Sequence, residues 1–204
     1  MRNKEPNKIV LLNGPPGTGK TEALKNMTRH FGFQEIDPKR FLRAVLFSVF
    51  EPSLEERSAM MGNKETPMNC LNGMTFREGQ IWASEKVIKP ALGSDAIGHY
   101  GVKEIKRRTE GRAGGINDPL SKKFVIDSVG FTDEAECYCR SFGYSNVLVL
   151  FIKRKGHDFS NDSRNWIDPL CMSGELRTAV IDNRFDKFLF REQIKQALEG
   201  FVDI

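Results

Sequence analysis

Apolar residues in this chain fall into two alternating kinds of run. Lys8-Ile-Val-Leu-Leu-Asn13 is short and nearly unbroken, as in a strand buried on both faces. Leu24, Met27, Thr28 and Phe31 then recur at helical spacing. Gly32-Phe-Gln-Glu-Ile-Asp37 predicts a second strand ending in an acid. Pro38 suits the first turn of a helix capped by Asp37. That helix turns Phe41, Val45, Leu46 and Val49 inward and carries Lys39, Arg40 and Arg43 near its start. Residues 52–75 predict a helical piece and then a long loop, Gly62 to Thr75, of a length common in lids and binding segments. Phe76 to Leu92 predicts a helix ended or kinked near Pro90. Gly93 opens another, which finishes in the basic segment Lys103 to Gly115.

The second half repeats the alternation. Lys123-Phe-Val-Ile-Asp127 predicts a third strand, again ending in an acid. A helix starts near Thr132-Asp133, with Glu136 three places beyond Asp133 as in a capping box. Ala135, Tyr138, Cys139 and Phe142 make its buried stripe, and Gly143 stops it. Asn146-Val-Leu-Val-Leu-Phe-Ile-Lys153 is the longest apolar run, a central parallel strand. Thr178-Ala-Val-Ile-Asp182 is a fifth strand. A last helix from about Asp186 buries Phe190, Ile194, Ala197, Leu198 and Phe201. Strands alternating with helices imply right-handed crossovers and a parallel sheet covered on both faces. The fold class is α/β. No linker divides the chain, so residues 1–204 are expected to form one domain, with helical and lid insertions around 52–122.

Composition narrows this picture only a little. A chain of 204 residues can bury a full core. Its net charge of +4 is compatible with a polyanionic partner without requiring one. Cys70, Cys137, Cys139 and Cys171 lack zinc-ligand spacing and are expected to be reduced, structural thiols of a cytosolic protein. The polar, charged N-terminus predicts no signal peptide, and no apolar run reaches membrane-spanning length. The expectation is a cytoplasmic protein with no membrane partner.

The chemistry is concentrated between the first strand and the first helix. Gly14-Pro15-Pro16-Gly17-Thr18-Gly19-Lys20-Thr21 fits G-x-x-x-x-G-K-[ST] without a mismatch, in the strand–loop–helix setting of a phosphate-binding P-loop. Glycines let the backbone curl so that its N–H groups point at phosphate oxygens, and the helix N-terminus adds partial positive charge. Lys20 is expected to reach the β- and γ-phosphates of ATP, and the Thr21 hydroxyl to hold Mg²⁺. Asp127, at the end of the third strand, is expected near the same Mg²⁺. Asp37 has two readings: a helix cap, or a carboxylate at the sheet edge where α/β proteins place ligands. Arg154 and Arg164 follow the central strand, and at least one of them is expected to meet triphosphate or transition-state charge; the alternative is two surface arginines in a polar loop. The basic segment from 103 is either a solvated helix end or a phosphate- or nucleic-acid-contacting lid.

The P-loop, Ile36-Asp-Pro-Lys39, Ala91-Leu-Gly-Ser-Asp95, Phe131-Thr-Asp-Glu-Ala-Glu136, Arg154-x-Gly156 and Val180-Ile-Asp-Asn183 stand in the order found in the phage deoxynucleoside monophosphate kinases. Over most of its length the chain resembles that family within the P-loop nucleotide kinases. The resemblance implies a five-stranded parallel sheet, ATP·Mg²⁺ as donor, and an acceptor held across a cleft. There are departures. Where the family reads Asp-x-Arg-Phe, this chain reads Ser128-Val129-Gly130-Phe131, so glycine replaces the arginine and Asp127 supplies the acid one place earlier. The P-loop Thr21 precedes Glu22. Losing the arginine removes a bidentate clamp suited to an acceptor phosphate. The chain also resembles the small phage kinases that phosphorylate 5-hydroxymethyluracil already inside DNA. That resemblance implies an alcohol acceptor, for which Asp37 is placed as the proton-accepting carboxylate.

Two further classes stand beside the kinase. An ATP-driven motor normally places Asp-Glu after its third strand to polarise water, whereas here Ser128 follows Asp127. A nucleotide-binding switch lacks support from any guanine-recognition motif, although Asn183 could meet a purine.

Overall fold

The computed structural model describes residues 6–109, 122–127, 129–160, 162–184 and 186–202. In chain order its main elements are β1 (Lys8–Asn13), α1 (Lys20–His30), β2 (Gln34–Ile36), α2 (Lys39–Phe50), α3 (Leu54–Gly62), α4 (Phe76–Trp82), α5 (Lys89–Leu92), α6 (Ala96–Thr109), β3 (Lys123–Ile126), α7 (Thr132–Phe142), β4 (Val147–Lys153), β5 (Arg177–Asp182) and α8 (Lys187–Leu198). Residues Met1–Asp37 and Gly98–Ile204 form one compact unit, and Pro38–Ile97 a second.

The first unit is built on one parallel sheet of order β2-β3-β1-β4-β5, an α/β P-loop fold. β1, β3 and β4 are apolar on both sides because both faces are covered. On one face Val10, Leu12, Leu148, Leu150 and Ile152 meet α1 through Ala23, Leu24 and Met27, and α8 through Phe190, Ile194 and Leu198. On the other, Ile9, Leu11, Phe124, Ile126, Val147 and Val149 meet Val102 and Ile105 of α6 and Ala135, Tyr138 and Cys139 of α7. Truncating one of these fully buried aliphatics to Ala costs about 2–5 kcal/mol. Because every strand runs the same way, all C-terminal ends share one edge, where ligands bind in open α/β sheets. The register fixes that edge. Ile36 pairs with Ile126, and Ile126 with Leu11. Asp37 and Asp127 are therefore the next residues on two adjacent strands, and β1 lies directly beside β3.

The second unit has its own small cores. Leu46, Met60, Leu71 and Phe76 pack with Phe47, Phe50 and Trp82. Ile88, Ala96 and Ile97 pack with Phe41, Leu42 and Val45. The segment 62–75 is not an open loop. A 3₁₀ turn at Asn69–Leu71 buries Leu71 completely, and Pro67 bridges to Thr75. Ser53 with Glu56, and Thr75 with Glu78, form capping boxes at the starts of α3 and α4. The expected disturbance near Pro90 is a π-helical stretch at Ala83–Ile88. Pro90 has no N–H to give and crowds the preceding turn, and widening that turn relieves both problems.

Several local expectations are overturned. Asp37 does not stand at the N-cap position of α2, which Pro38 holds. Val49 is exposed, and Phe47 and Phe50 pack inward on the face of α2 that buries Leu46. The Asp133–Glu136 capping box does not form, because α7 starts after an extended Phe131 with no side-chain cap bond. Glu136 instead accepts from the Tyr144 hydroxyl at 2.6 Å and from Arg140 Nε at 2.8 Å. Those donors, with Ser173, outweigh its burial and hold its carboxyl at about 2. None of the four cysteines is in a disulfide; burial pushes the Cys139 thiol up to about 12. Among the described residues no helix is long and apolar enough to cross a membrane.

Candidate active site around the phosphate loop

The loop from Gly14 to Gly19 leaves the end of β1 and enters α1 through Gly19, whose φ of 106° only glycine adopts without strain. Thr18 is buried and its hydroxyl donates to the Pro15 carbonyl at 2.9 Å. Side chains from the far half of the chain hold the loop's carbonyls. Arg154 Nη1 donates to Gly17 O at 2.8 Å, and Asn183 Nδ2 to Thr18 O at 2.8 Å. His157 Nδ1 lies 2.9 Å from Pro16 O; a carbonyl only accepts, so that nitrogen carries the proton. In a trans peptide the C=O of one residue and the N–H of the next point oppositely. Tethering the carbonyls of residues 16, 17 and 18 therefore turns the N–H groups of Gly17, Thr18 and Gly19 the other way, as an anion cradle requires. Lys20 Nζ curls over this loop and donates to Gly14 O at 2.5 Å and Pro15 O at 2.6 Å. Thr21 is exposed in the first turn of α1.

Asp127 follows β3, one strand from the loop, and Asp37 follows β2, two strands from it. Both are half-buried. The Thr21 hydroxyl and the Asp127 carboxylate are hard oxygen donors, which suits Mg²⁺.

Asn13 organises the rest. It is the last residue of β1 and fully buried. Its Nδ2 donates to Val129 O at 3.0 Å and to Asn165 O at 3.1 Å, and its Oδ1 accepts from Ile167 N at 3.3 Å. One carboxamide thus joins the turn after β3 to a strap from the β4–β5 connection. Asn165 N closes the join by donating to Gly130 O at 2.9 Å. The strap carries Arg164 over the end of β3. A Cβ on Gly130 would lie 2.5 Å from both Cβ and Cδ of Arg164, and closer still to Cγ, so the arginine stem occupies the space a side chain at 130 would need.

Asp162 grips the guanidinium at both ends, with Arg164 Nε to Oδ1 at 2.8 Å and Nη2 to Oδ2 at 2.5 Å. It also accepts from the Arg164 backbone N–H at 3.0 Å. The Arg164 contact holds Asp162 below the usual carboxylate range, with Lys20 adding to the effect. Arg164 is raised chiefly by Asp162, and the charges of Asp127 and Glu134 act the same way.

Of the sequence-predicted residues, Lys20, Thr21, Asp127, Arg154 and Arg164 belong to this loop and its flanks, and Asp37 lies one strand beyond Asp127. Asn13, Asp162 and His157 were missed as site residues. Asn13 carried a signal, a polar residue closing an apolar strand just before the glycines. Asp162 stood two places before Arg164, a local acid–base pair, whereas His157 carried no signal, since only its contact with Pro16 distinguishes it from other polar loop residues. The basic segment is partly neutralised: Arg107 and Arg108 both engage Glu104, and Arg108 also reaches Glu35 O. Its continuation through residues 110–115, and Ser128, lie outside the described residues.

No protein-family model matches the chain, and no curated protein does either. Among solved structures, an unliganded sugar kinase from Janibacter sp. HTCC2649 aligns over 95% of this chain and 94% of its own, with 14% identity and a TM-score of 0.44. A protein provisionally described as a kinase from Chloroflexus aurantiacus aligns over 97% and 99%, with 13% identity and a TM-score of 0.48. Likenesses this distant carry no functional weight. The fold assignment rests on strand order, register and the loop itself.

Proposed function

We propose that this protein is an ATP·Mg²⁺-dependent phosphotransferase that phosphorylates the 5-hydroxymethyl group of 5-hydroxymethyl-deoxyuridine in DNA, as in phage thymidine hypermodification. The observation that carries the reading is the row of carboxylates on adjacent strands. Asp127 stands next to the phosphate loop, and Asp37 one strand farther out. The loop amides and Lys20 bind the β- and γ-phosphates. Thr21 and Asp127 would hold Mg²⁺, which neutralises charge on the phosphates. Asp37 orients the acceptor hydroxyl and takes its proton as the hydroxyl oxygen bonds to the γ-phosphorus. The bond from that phosphorus to the β–γ bridging oxygen breaks, and ADP leaves with the bridging electrons. Arg154 and Arg164 stabilise charge on the transferring oxygens. A base inside duplex DNA must be flipped out or presented single-stranded to reach such a site.

One observation favours a second reading, a deoxynucleoside monophosphate kinase. The Arg164 stem fills the space over Gly130, where the resembled kinases carry an arginine. A cation there suits a phosphate acceptor. Incubation with γ-labelled ATP against hydroxymethyluracil DNA and, separately, against mixed deoxynucleoside monophosphates tests both. Label in the DNA alone supports the first reading. Robust labelling of the free nucleotides, with none in the DNA, replaces it with the second. ATP hydrolysis that needs no acceptor rejects both in favour of a motor-type ATPase.

A further inference from the structure

We infer that Gly130 and Asp162 are positioning residues that together set Arg164 beside Asp127, Gly130 by leaving room for the arginine stem and Asp162 by orienting the guanidinium. The inference rests on the reading of Arg164 as a phosphotransfer cation. Arg164 comes from the β4–β5 connection. That connection also supplies Arg154 and His157 to the phosphate loop. The same connection then crosses the end of β1, pinned on both sides of Trp166 by Asn13, and delivers Arg164 to the end of β3. Arg164 thus lies against the turn after β3 and feels the charge of Asp127.

Each positioning residue has a distinct physical task. At Gly130 the constraint is volume, because an alanine methyl would fall well inside contact distance of three Arg164 side-chain carbons. Gly130 is not among the residues with positive φ, so alanine meets no backbone objection there. At Asp162 the constraint is direction. A bidentate pair fixes the plane of the guanidinium, and a side chain four-fifths buried has few other rotamers. Two parallel bonds to Asp162 leave the remaining N–H groups of the fork for other oxygens.

The experiment is a pair of double-mutant cycles, Gly130→Ala with Arg164→Ala and Asp162→Asn with Arg164→Ala, read by melting temperature and by kcat and KM for ATP. Gly130→Ala is expected to lower the melting temperature in the parent, and by less in the Arg164→Ala background, which removes the Cγ and Cδ contacts and keeps only that of Cβ. On the acceptor the parent uses, Gly130→Ala, Asp162→Asn and Arg164→Ala are each expected to lower kcat by on the order of ten-fold with little change in KM. Each double variant should match Arg164→Ala alone, since residues acting through one group are non-additive. Additive losses, or a Gly130→Ala protein with parental melting and parental kcat, overturn the inference. If the parent transfers phosphate to no acceptor, the kinase reading fails, and the melting cycles still decide whether these residues hold Arg164.

Discussion

Asn13→Ala is the perturbation that tests most of this architecture at once. The substitution removes two donor bonds and one acceptor bond, to Val129 O, Asn165 O and Ile167 N. Leaving a buried polar group without its partner costs about 1–3 kcal/mol. The bonds to Val129 and Ile167 are buried, while that to Asn165 is only partly so and its carbonyl can turn to water. The expected loss is therefore roughly 3–5 kcal/mol. For a chain of this size each kcal/mol moves the midpoint by about 2–4 °C, so thermal unfolding should fall by on the order of 10 °C. Asn13→Asp keeps the volume and the acceptor for Ile167 N–H but faces carboxylate oxygen to two carbonyls. It should cost at least as much, because it adds a buried charge. Both variants free the strap that carries Arg164, so in whatever fraction remains folded kcat should drop as in Arg164→Ala. The assay is melting by circular dichroism beside steady-state transfer below the lowered midpoint. An Asn13→Ala protein melting within about 2 °C of the parent, less than one such kcal/mol would give, would refute the reasoning.

Other outcomes follow from single contacts. Lys20→Ala should abolish transfer at near-parental melting temperature, since its loop bonds are made by a partly exposed ammonium; near-normal turnover would remove the P-loop assignment. Asp37→Asn should cut kcat by about 10²–10⁴-fold on a hydroxyl acceptor, whereas on an already ionised monophosphate it should act mainly on KM. Asparagine keeps most of the shape and hydrogen-bonding capacity of Asp37, so the melting temperature should scarcely change, and steady-state kinetics on the parent's own acceptor decide the matter. Glu136→Gln should be less stable than the parent at neutral pH. The folded carboxyl is depressed from 4.5 to about 2, so its stabilisation is complete above about 4.5 and disappears as pH falls towards about 2. Melting curves across that window should converge, and a gap that persists at pH 2 would assign the effect to packing.

The sequence by itself determined the features governed by short-range physics. Period-two and unbroken apolar runs mark β1, β3, β4 and β5, because a strand buried on both faces has no polar side to show. The glycine spacing marks the phosphate loop, because backbone curvature and helix entry are local matters. Charge-bearing strand ends at Asp37 and Asp127 were legible for the same reason. Local rules failed where tertiary partners outcompeted them. Glu136 left its predicted cap for Tyr144, Arg140 and Ser173, and Val49 yielded its place to Phe47 and Phe50.

Only the tertiary structure decided the strand order that sets Asp127 beside the loop, and the company the loop keeps. Asn13 reaches Val129 and Asn165, and Asn183 reaches Thr18, across most of the chain. Gly130 shows the limit plainly. In the sequence it is one glycine in a turn. In the fold, the stem of an arginine 34 positions later (164 − 130) occupies the space a side chain there would need. Nothing local couples those two positions. They share one volume only because a buried carboxamide on β1 holds the strap against the turn, and excluded volume acts between atoms close in space, however far apart they lie along the chain.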